Sequence, residues 1–374
     1  MRVLLLSDAH SIHTIKWAKS LSELGIEIGI FSLNRLSDNP YNGYKRITVF
    51  YFQDDNCHNR SSSFKKLSYL KSIGYVKRII KDFKPDIVHA HYASSYGLVG
   101  ALTGFHPYII SVWGSDVYDF PNVSLLHKEV LKYNLKKADR ILSTSHVMAK
   151  ETKKYTDKDV YVTPFGIDLN VFKPMKVKSL FGENDIVIGT IKTLEEKYGI
   201  EYLIRAFELV KRRNPNLHLK LLIVGGGSLD AYLKELTQKL GIASDTIFTG
   251  KIPHEMVPVY DNMLSVSVSV SNSESFGVAV IEASACGIPV VVSNVGGLPE
   301  VVENQITGMI VPPRNPKITA EAIECFVLDP VLRKKVGKAG RTRVKRLYDW
   351  NSNVREMLKI YRSIIQGDGT DDYL

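Results

Sequence analysis

Two glutamates and two lysines are the residues whose types and spacing could carry chemistry. Glu274 and Glu282 stand eight positions apart in Ser273-Glu274-Ser275-Phe276-Gly277-Val278-Ala279-Val280-Ile281-Glu282-Ala283. Glu282 interrupts an otherwise apolar segment, where a carboxylate is costly unless something binds it. The backbone N–H groups of Phe276, Gly277 and Val278 open a helix and suit a phosphate. Lys192 and Lys197 lie five apart in Gly189-Thr190-Ile191-Lys192-Thr193-Leu194-Glu195-Glu196-Lys197-Tyr198-Gly199. Two ammonium groups so placed can neutralise a diphosphate and stabilise the charge that grows on it as it leaves. Taken alone, either pair also reads as ordinary surface side chains, so the elements around them must decide.

Those elements are legible. A β-rich run, Leu264 to Val270, precedes Glu274, and Val290-Val291-Val292 follows Gly287-Ile288-Pro289. The order is strand, loop, helix, glycine stop, strand. Gly277 loosens the helix entry, Gly287 supplies a left-handed end, and Pro289 forbids further helix. Glu274 thus falls in a loop at the carboxyl end of a strand, and Glu282 about two turns into the helix. Lys192 and Lys197 follow the strand Ile186 to Gly189. Leu221 to Val224 runs into Gly225-Gly226-Gly227-Ser228, where glycine permits close backbone approach by a ligand. Lys251-Ile252-Pro253 follows another strand, Ile247-Phe248-Thr249.

The amino-terminal half repeats the pattern. Strands are expected at Arg2 to Ser7, Ile26 to Leu33, Pro85 to His91, Tyr108 to Trp113 and Ile141 to Thr144, with helices between them. Strands alternating with helices predict an α/β protein with parallel sheets. A length of 374 residues favours two domains. Thr163-Pro164-Phe165-Gly166-Ile167-Asp168 reads as the linker, giving domains at 1–165 and 166–349 and a helix and tail at 350–374. Ligands of open α/β sheets bind outside the carboxyl ends of strands. His10, His13 and His91 fall near such ends, and one or more of them could touch a donor or acceptor.

Composition narrows the class. Hydrophobic content of 44% and charged content of 24% suit a globular domain, and no stretch approaches the ~18 apolar residues of a membrane span. Cys57, Cys286 and Cys325 form neither a zinc pattern nor a disulfide framework, which points to a reducing cytoplasm. Apart from Asp157-Lys158-Asp159, which lies among lysines just before the linker and away from the residues singled out above, no Asp-x-Asp occurs, and there is no His/Cys metal spacing and no Walker-type Gly-Lys-Ser/Thr. The net charge of +10 is lopsided, with +8 in residues 1–165. Arg60 to Lys84 holds eight basic residues and one acid, with Phe64, Leu67, Leu70, Ile73, Val76, Ile79, Ile80 and Phe83 interleaved at helical spacing. This is either a helix with solvated lysines or a peripheral contact with anionic membrane. No nucleic-acid motif accompanies the charge.

Glu-x7-Glu with Phe-Gly inside, Glu282-Ala283-Ser284-Ala285-Cys286-Gly287-Ile288-Pro289-Val290-Val291 and Gly296-Gly297-Leu298-Pro299-Glu300 together resemble the signature of retaining GT-B glycosyltransferases, glycosyltransferase family 4. The resemblance is specific over about residues 185–315 and weaker from residue 1 to about 363. It implies two facing Rossmann-like domains with an interdomain cleft, and a last helix, about Trp350 to Ile365, crossing back to the amino-terminal domain. It further implies a retaining, metal-independent hexosyltransferase without cofactor. The co-substrate would be a nucleoside-diphosphate sugar, UDP-sugar before GDP-sugar, and the acceptor a glycan or lipid-linked molecule of cell-surface polysaccharide or lipopolysaccharide synthesis. The expected location is the cytoplasm or the cytoplasmic face of the inner membrane.

By the same resemblance, Glu274 serves the sugar, Glu282 the ribose, and Lys192 and Lys197 the diphosphate. Gly225 and Gly226 line the nucleoside, and the backbone near Ile252 reads the base. Lys192 stands where the family has Arg; aligning Gly189 on the family glycine instead would put Thr190 there and displace Lys197. Ser111-Val112-Trp113-Gly114-Ser115-Asp116 matches a His-Gly-x-Asp segment, with Trp113 in place of His, and Asp116 either contacts ligand or only organises its loop. Two rivals share these residues: a sugar-phosphate synthase or phosphorylase with a soluble acceptor, and a non-catalytic nucleotide-sugar-binding protein.

Overall fold

The computed structural model describes residues 1–35, 38–52 and 62–366, except the side chains of residues 62–70. Cys57, Arg60, the side chains of Phe64, Lys65, Lys66, Leu67 and Leu70, and residues 367–374 lie outside the described residues. The chain divides into two compact units, Met1–Pro164 together with the segment from Ser352, and Phe165–Asn351.

In the first unit the described strands are β1 Arg2–Leu6, β2 Glu27–Ser32, β3 Ile47–Tyr51, β4 Ile87–His91, β5 Tyr108–Val112, β6 Arg140–Ser143 and β7 Val160–Val162. They form one parallel sheet in the order β3-β2-β1-β4-β5-β6-β7. The central strands are buried on both faces, which is why they read as apolar runs. β3 and β7 are the half-buried edges, and neither was expected from the sequence. The chain moves outward from β1 to β3 and then returns to β4 on the other side of β1. The order therefore reverses between β1 and β4, the position where such sheets bind ligands.

In the helix Ser62–Phe83, Val76 and Ile79 are buried in the core while Lys71, Lys77, Arg78 and Lys81 face solvent. The last helix, Trp350–Gln366, joins this unit from Ser352 onward. Asn353 Nδ2 donates to the Pro164 carbonyl at 2.9 Å, and the fully buried Tyr361 places its hydroxyl 2.7 Å from His89 Nδ1.

The second unit's described strands are β8 Ile186–Ile191, β9 Leu219–Val224, β10 Thr246–Phe248, β11 Val266–Ser269, β12 Val290–Ser293 and β13 Gly308–Val311. Their order is β10-β9-β8-β11-β12-β13, all parallel. The reversal here lies between β8 and β11. One face is closed by the helix Ile200–Arg213, whose Leu203, Ile204, Phe207 and Val210 recur at three- and four-residue spacing and are buried. Among the described residues no helix is long and apolar enough to cross a membrane.

Candidate active site

The second unit's reversal point brings together Lys192 and Glu274, two of the residues singled out by spacing. Lys192 leaves the carboxyl end of β8 and Glu274 follows β11, its neighbour in the sheet. Lys192 Nζ donates to Glu274 Oε2 at 2.6 Å, with the two side chains only 15% and 11% exposed. A charge pair this short and this shielded is fixed in geometry, unlike a surface pair that solvent competes for.

The flanking loops are held by close backbone contact. A Cβ at Gly225, whose φ is 136°, would run into the Lys192 carbonyl, and one at Gly227 into the Leu194 carbonyl. Lys192 N–H donates to the Val224 carbonyl at 2.9 Å and Leu194 N–H to the Gly226 carbonyl at 3.2 Å. Glu195 accepts from Ser228 N–H at 2.9 Å and Ser228 Oγ at 2.5 Å, and these bonds hold its carboxyl below the usual carboxylate range. The glycine loop and the lysine loop are thus one rigid piece. Glycine at these positions is required by the neighbouring backbone.

Glu274 is fixed from its other side, since its carbonyl accepts from Gly297 N–H at 3.1 Å. Gly277 caps the helix Val278–Ala285 in the left-handed region, φ 109°, and Gly287 follows it at φ 80°. Glu282 is consequently the fifth residue of the helix, just over one turn in rather than two. The left-handed cap delays the helix start relative to the sequence reading. The Phe276 ring is buried against Phe165 and Tyr348, at centroid distances of 5.9 and 5.6 Å, so only its backbone faces the role expected of it. Val278 is half-buried at the first helical position. Ile252 is half-buried against the cluster of Leu222 and Val224, and Lys251 packs so closely on Gly226 that a Cβ there would meet its Cγ at 3.0 Å.

In the first unit, His13, His91 and Trp113 come together at the β1/β4 reversal. Trp113 lies 4.6 Å from the His91 ring and 5.7 Å from the His13 ring. Burial, reinforced by His89 and His13, pushes His91 well below the ordinary imidazole range, so it is neutral at pH 7. His10 does not join this row; it is exposed, with Nδ1 3.2 Å from Asp8 Oδ1. Asp116 is fully buried and accepts from Ala93 N–H at 2.7 Å, Gly114 N–H at 2.8 Å and Trp113 N–H at 3.1 Å. It ties the loops after β4 and β5 together. Burial pushes its pKa up, while the N–H groups oppose that shift.

Four residues were not singled out from sequence. His89 is buried between Tyr361 Oη and Ser111 Oγ, at 2.7 and 2.8 Å, and burial lowers its pKa to about 3. The period-two pattern His89-Ala90-His91 is a signal that could have shown both rings on one strand face. Tyr361 carries no local signal. His254 Nε2 sits 3.3 Å from Glu282 Oε1. Asp261 is buried, and desolvation together with the Glu282 charge holds its carboxyl well above the usual range. Its position one turn before Leu264 gave no reason to connect it with Glu282.

Comparisons with known proteins give the family and the fold. A family model described as "Glycosyl transferase 4-like" matches residues 2–145, and one described as "Glycosyl transferases group 1" matches residues 171–343. The chain is similar to a D-inositol 3-phosphate glycosyltransferase of Nocardiopsis dassonvillei, 27% identical over 305 residues, 74% of this chain and 70% of that protein. Among solved structures it resembles sucrose-phosphate synthase from Thermosynechococcus elongatus, with a TM-score of 0.84, 22% identity and coverage of 98% of this chain and 100% of that one. It also resembles HepE of Anabaena in complex with UDP, with a TM-score of 0.77, 18% identity and coverage of 97% and 100%. These two structural likenesses speak to the fold.

Proposed function

Since the chain belongs to the glycosyl transferases group 1 family and has the GT-B fold, we propose that it is a retaining glycosyltransferase that takes its sugar from a nucleoside diphosphate, UDP before GDP. The Lys192–Glu274 pair carries this reading. It sets an ammonium group for the leaving diphosphate beside a carboxylate for the sugar. The structural neighbour in complex with UDP supports the choice of donor.

In this reading the bond from the anomeric carbon to the diphosphate oxygen breaks, and its electron pair goes to the diphosphate. Lys192, Lys197 and the amides opening the helix Val278–Ala285 stabilise that charge. Glu274 holds sugar hydroxyls and faces the positive charge at the anomeric carbon. The acceptor oxygen bonds to that carbon from the same face, and its proton goes to the departing phosphate. Glu282 takes the ribose hydroxyls. His13, His91 and Trp113 serve the sugar or acceptor. The test is release of UDP or GDP from their sugars by purified protein. No release across both sets would overturn the reading.

The counter-charge in this scheme comes from lysines and backbone amides, so transfer should continue in excess EDTA. Loss of activity that Mg²⁺ or Mn²⁺ restores would contradict it. The acceptor we propose is a glycan or lipid-linked molecule at a cytoplasmic membrane face. Lys71, Lys77, Arg78 and Lys81 give an exposed basic row, and each such charge is worth ~1 kcal/mol near an anionic surface. The protein should float with anionic vesicles at low salt and not with neutral ones, and should detach as salt shortens the screening length. Equal flotation with both, or with neither, would remove this contact.

A further inference from the structure

We infer that Tyr198 is a positioning residue for the donor diphosphate, its ring gathering both site lysines. The inference rests on the reading that Lys192 and Lys197 bind that diphosphate. Lys192 Nζ lies 4.5 Å from the Tyr198 ring centroid and Lys197 Nζ 4.8 Å. Two ammonium groups brought to one place repel each other, and an aromatic face offsets that repulsion by cation–π attraction to each. The ring differs from the other partner of Lys192, the Glu274 carboxylate at 2.6 Å. A carboxylate cancels charge, whereas a neutral ring holds the cations in place and leaves their charge for the incoming phosphates.

The ring is itself held. Tyr198 packs half-buried against the second unit's core. The turn Glu196–Tyr198 ends at Gly199, φ 61°, where a Cβ would run into the Val270 carbonyl. The Lys197 carbonyl accepts from Asn272 N–H at 2.8 Å and Ser273 N–H at 3.2 Å, and Asn272 Nδ2 donates to the Glu196 carbonyl at 2.8 Å. Arg314 Nε donates to Asn272 Oδ1 at 3.1 Å. The turn is therefore stitched to the segment leading into Glu274, and the lysines and the carboxylate share one frame.

The test compares Tyr198→Phe, which keeps the aromatic face, with Tyr198→Leu, which keeps bulk and loses the face. Dissociation constants are measured for uridine and guanosine, their monophosphates and their diphosphates. Tyr198→Leu should weaken binding of the accepted diphosphate about tenfold and leave nucleoside binding unchanged, while Tyr198→Phe stays within about twofold of wild type. Equal diphosphate affinity in Tyr198→Leu and wild type would overturn the inference. So would an equal loss for nucleoside and diphosphate, or a Phe variant as weak as the Leu variant, because either marks plain packing. Wild-type protein that binds neither diphosphate would overturn the donor-site reading itself, and this inference with it.

Discussion

Glu274→Gln is expected to lower the transfer rate by about 10²–10³-fold, roughly 2.7–4 kcal/mol of transition-state stabilisation. The substitution keeps size, removes the charge and leaves one acceptor oxygen where there were two. That charge is shielded, close to Lys192 Nζ and positioned by the Gly297 contact, so solvent cannot replace it. Donor affinity should move by only a few-fold, because in the proposed reading the carboxylate serves the sugar and not the nucleotide. The measurements are kcat and KM for the donor with Glu274→Gln, alongside the dissociation constant of the free nucleoside diphosphate. A low kcat with an intact dissociation constant is expected. Turnover like that of wild type would remove Glu274 from the mechanism.

Glu282→Ala should act on the other parameter. Each charged hydrogen bond to a ribose hydroxyl contributes on the order of 1.5–3 kcal/mol, so losing even one weakens donor binding about tenfold or more. Stability should not fall in parallel. The substitution gives up only the 3.3 Å contact with the half-exposed His254, and it removes a buried charge beside Asp261, whose carboxyl is held up first by desolvation and then by the Glu282 charge. Calorimetric titration with the nucleoside diphosphate and a melting curve together decide the matter. Unchanged affinity with a large drop in Tm would make Glu282 a structural residue.

Much of this site was legible in the sequence, for identifiable reasons. β8, β9, β11 and β12 lie inside the sheet, so burial on both faces writes them as apolar runs and fixes where their carboxyl ends fall. Lys192 and Glu274 could be placed because each follows such a strand. β3 and β7 are half-buried edge strands and carry a weaker signal than the inner strands. The depth of Glu282 was misjudged because Gly277 adopts a left-handed cap, which glycine allows but does not announce. His254 and Tyr361 escaped for a different reason. Their partners, Glu282 and His89, lie 28 and 272 residues away, and only the fold brings them together.

The most direct test of the central claim is a structure of the protein bound to whichever of UDP and GDP raises its melting temperature more. The account predicts diphosphate oxygens within hydrogen-bonding distance of Lys192 Nζ, Lys197 Nζ and the amides at the start of the helix Val278–Ala285, with the ribose hydroxyls on Glu282. A diphosphate bound away from the β8/β11 reversal, out of reach of both lysines and of those amides, would contradict it.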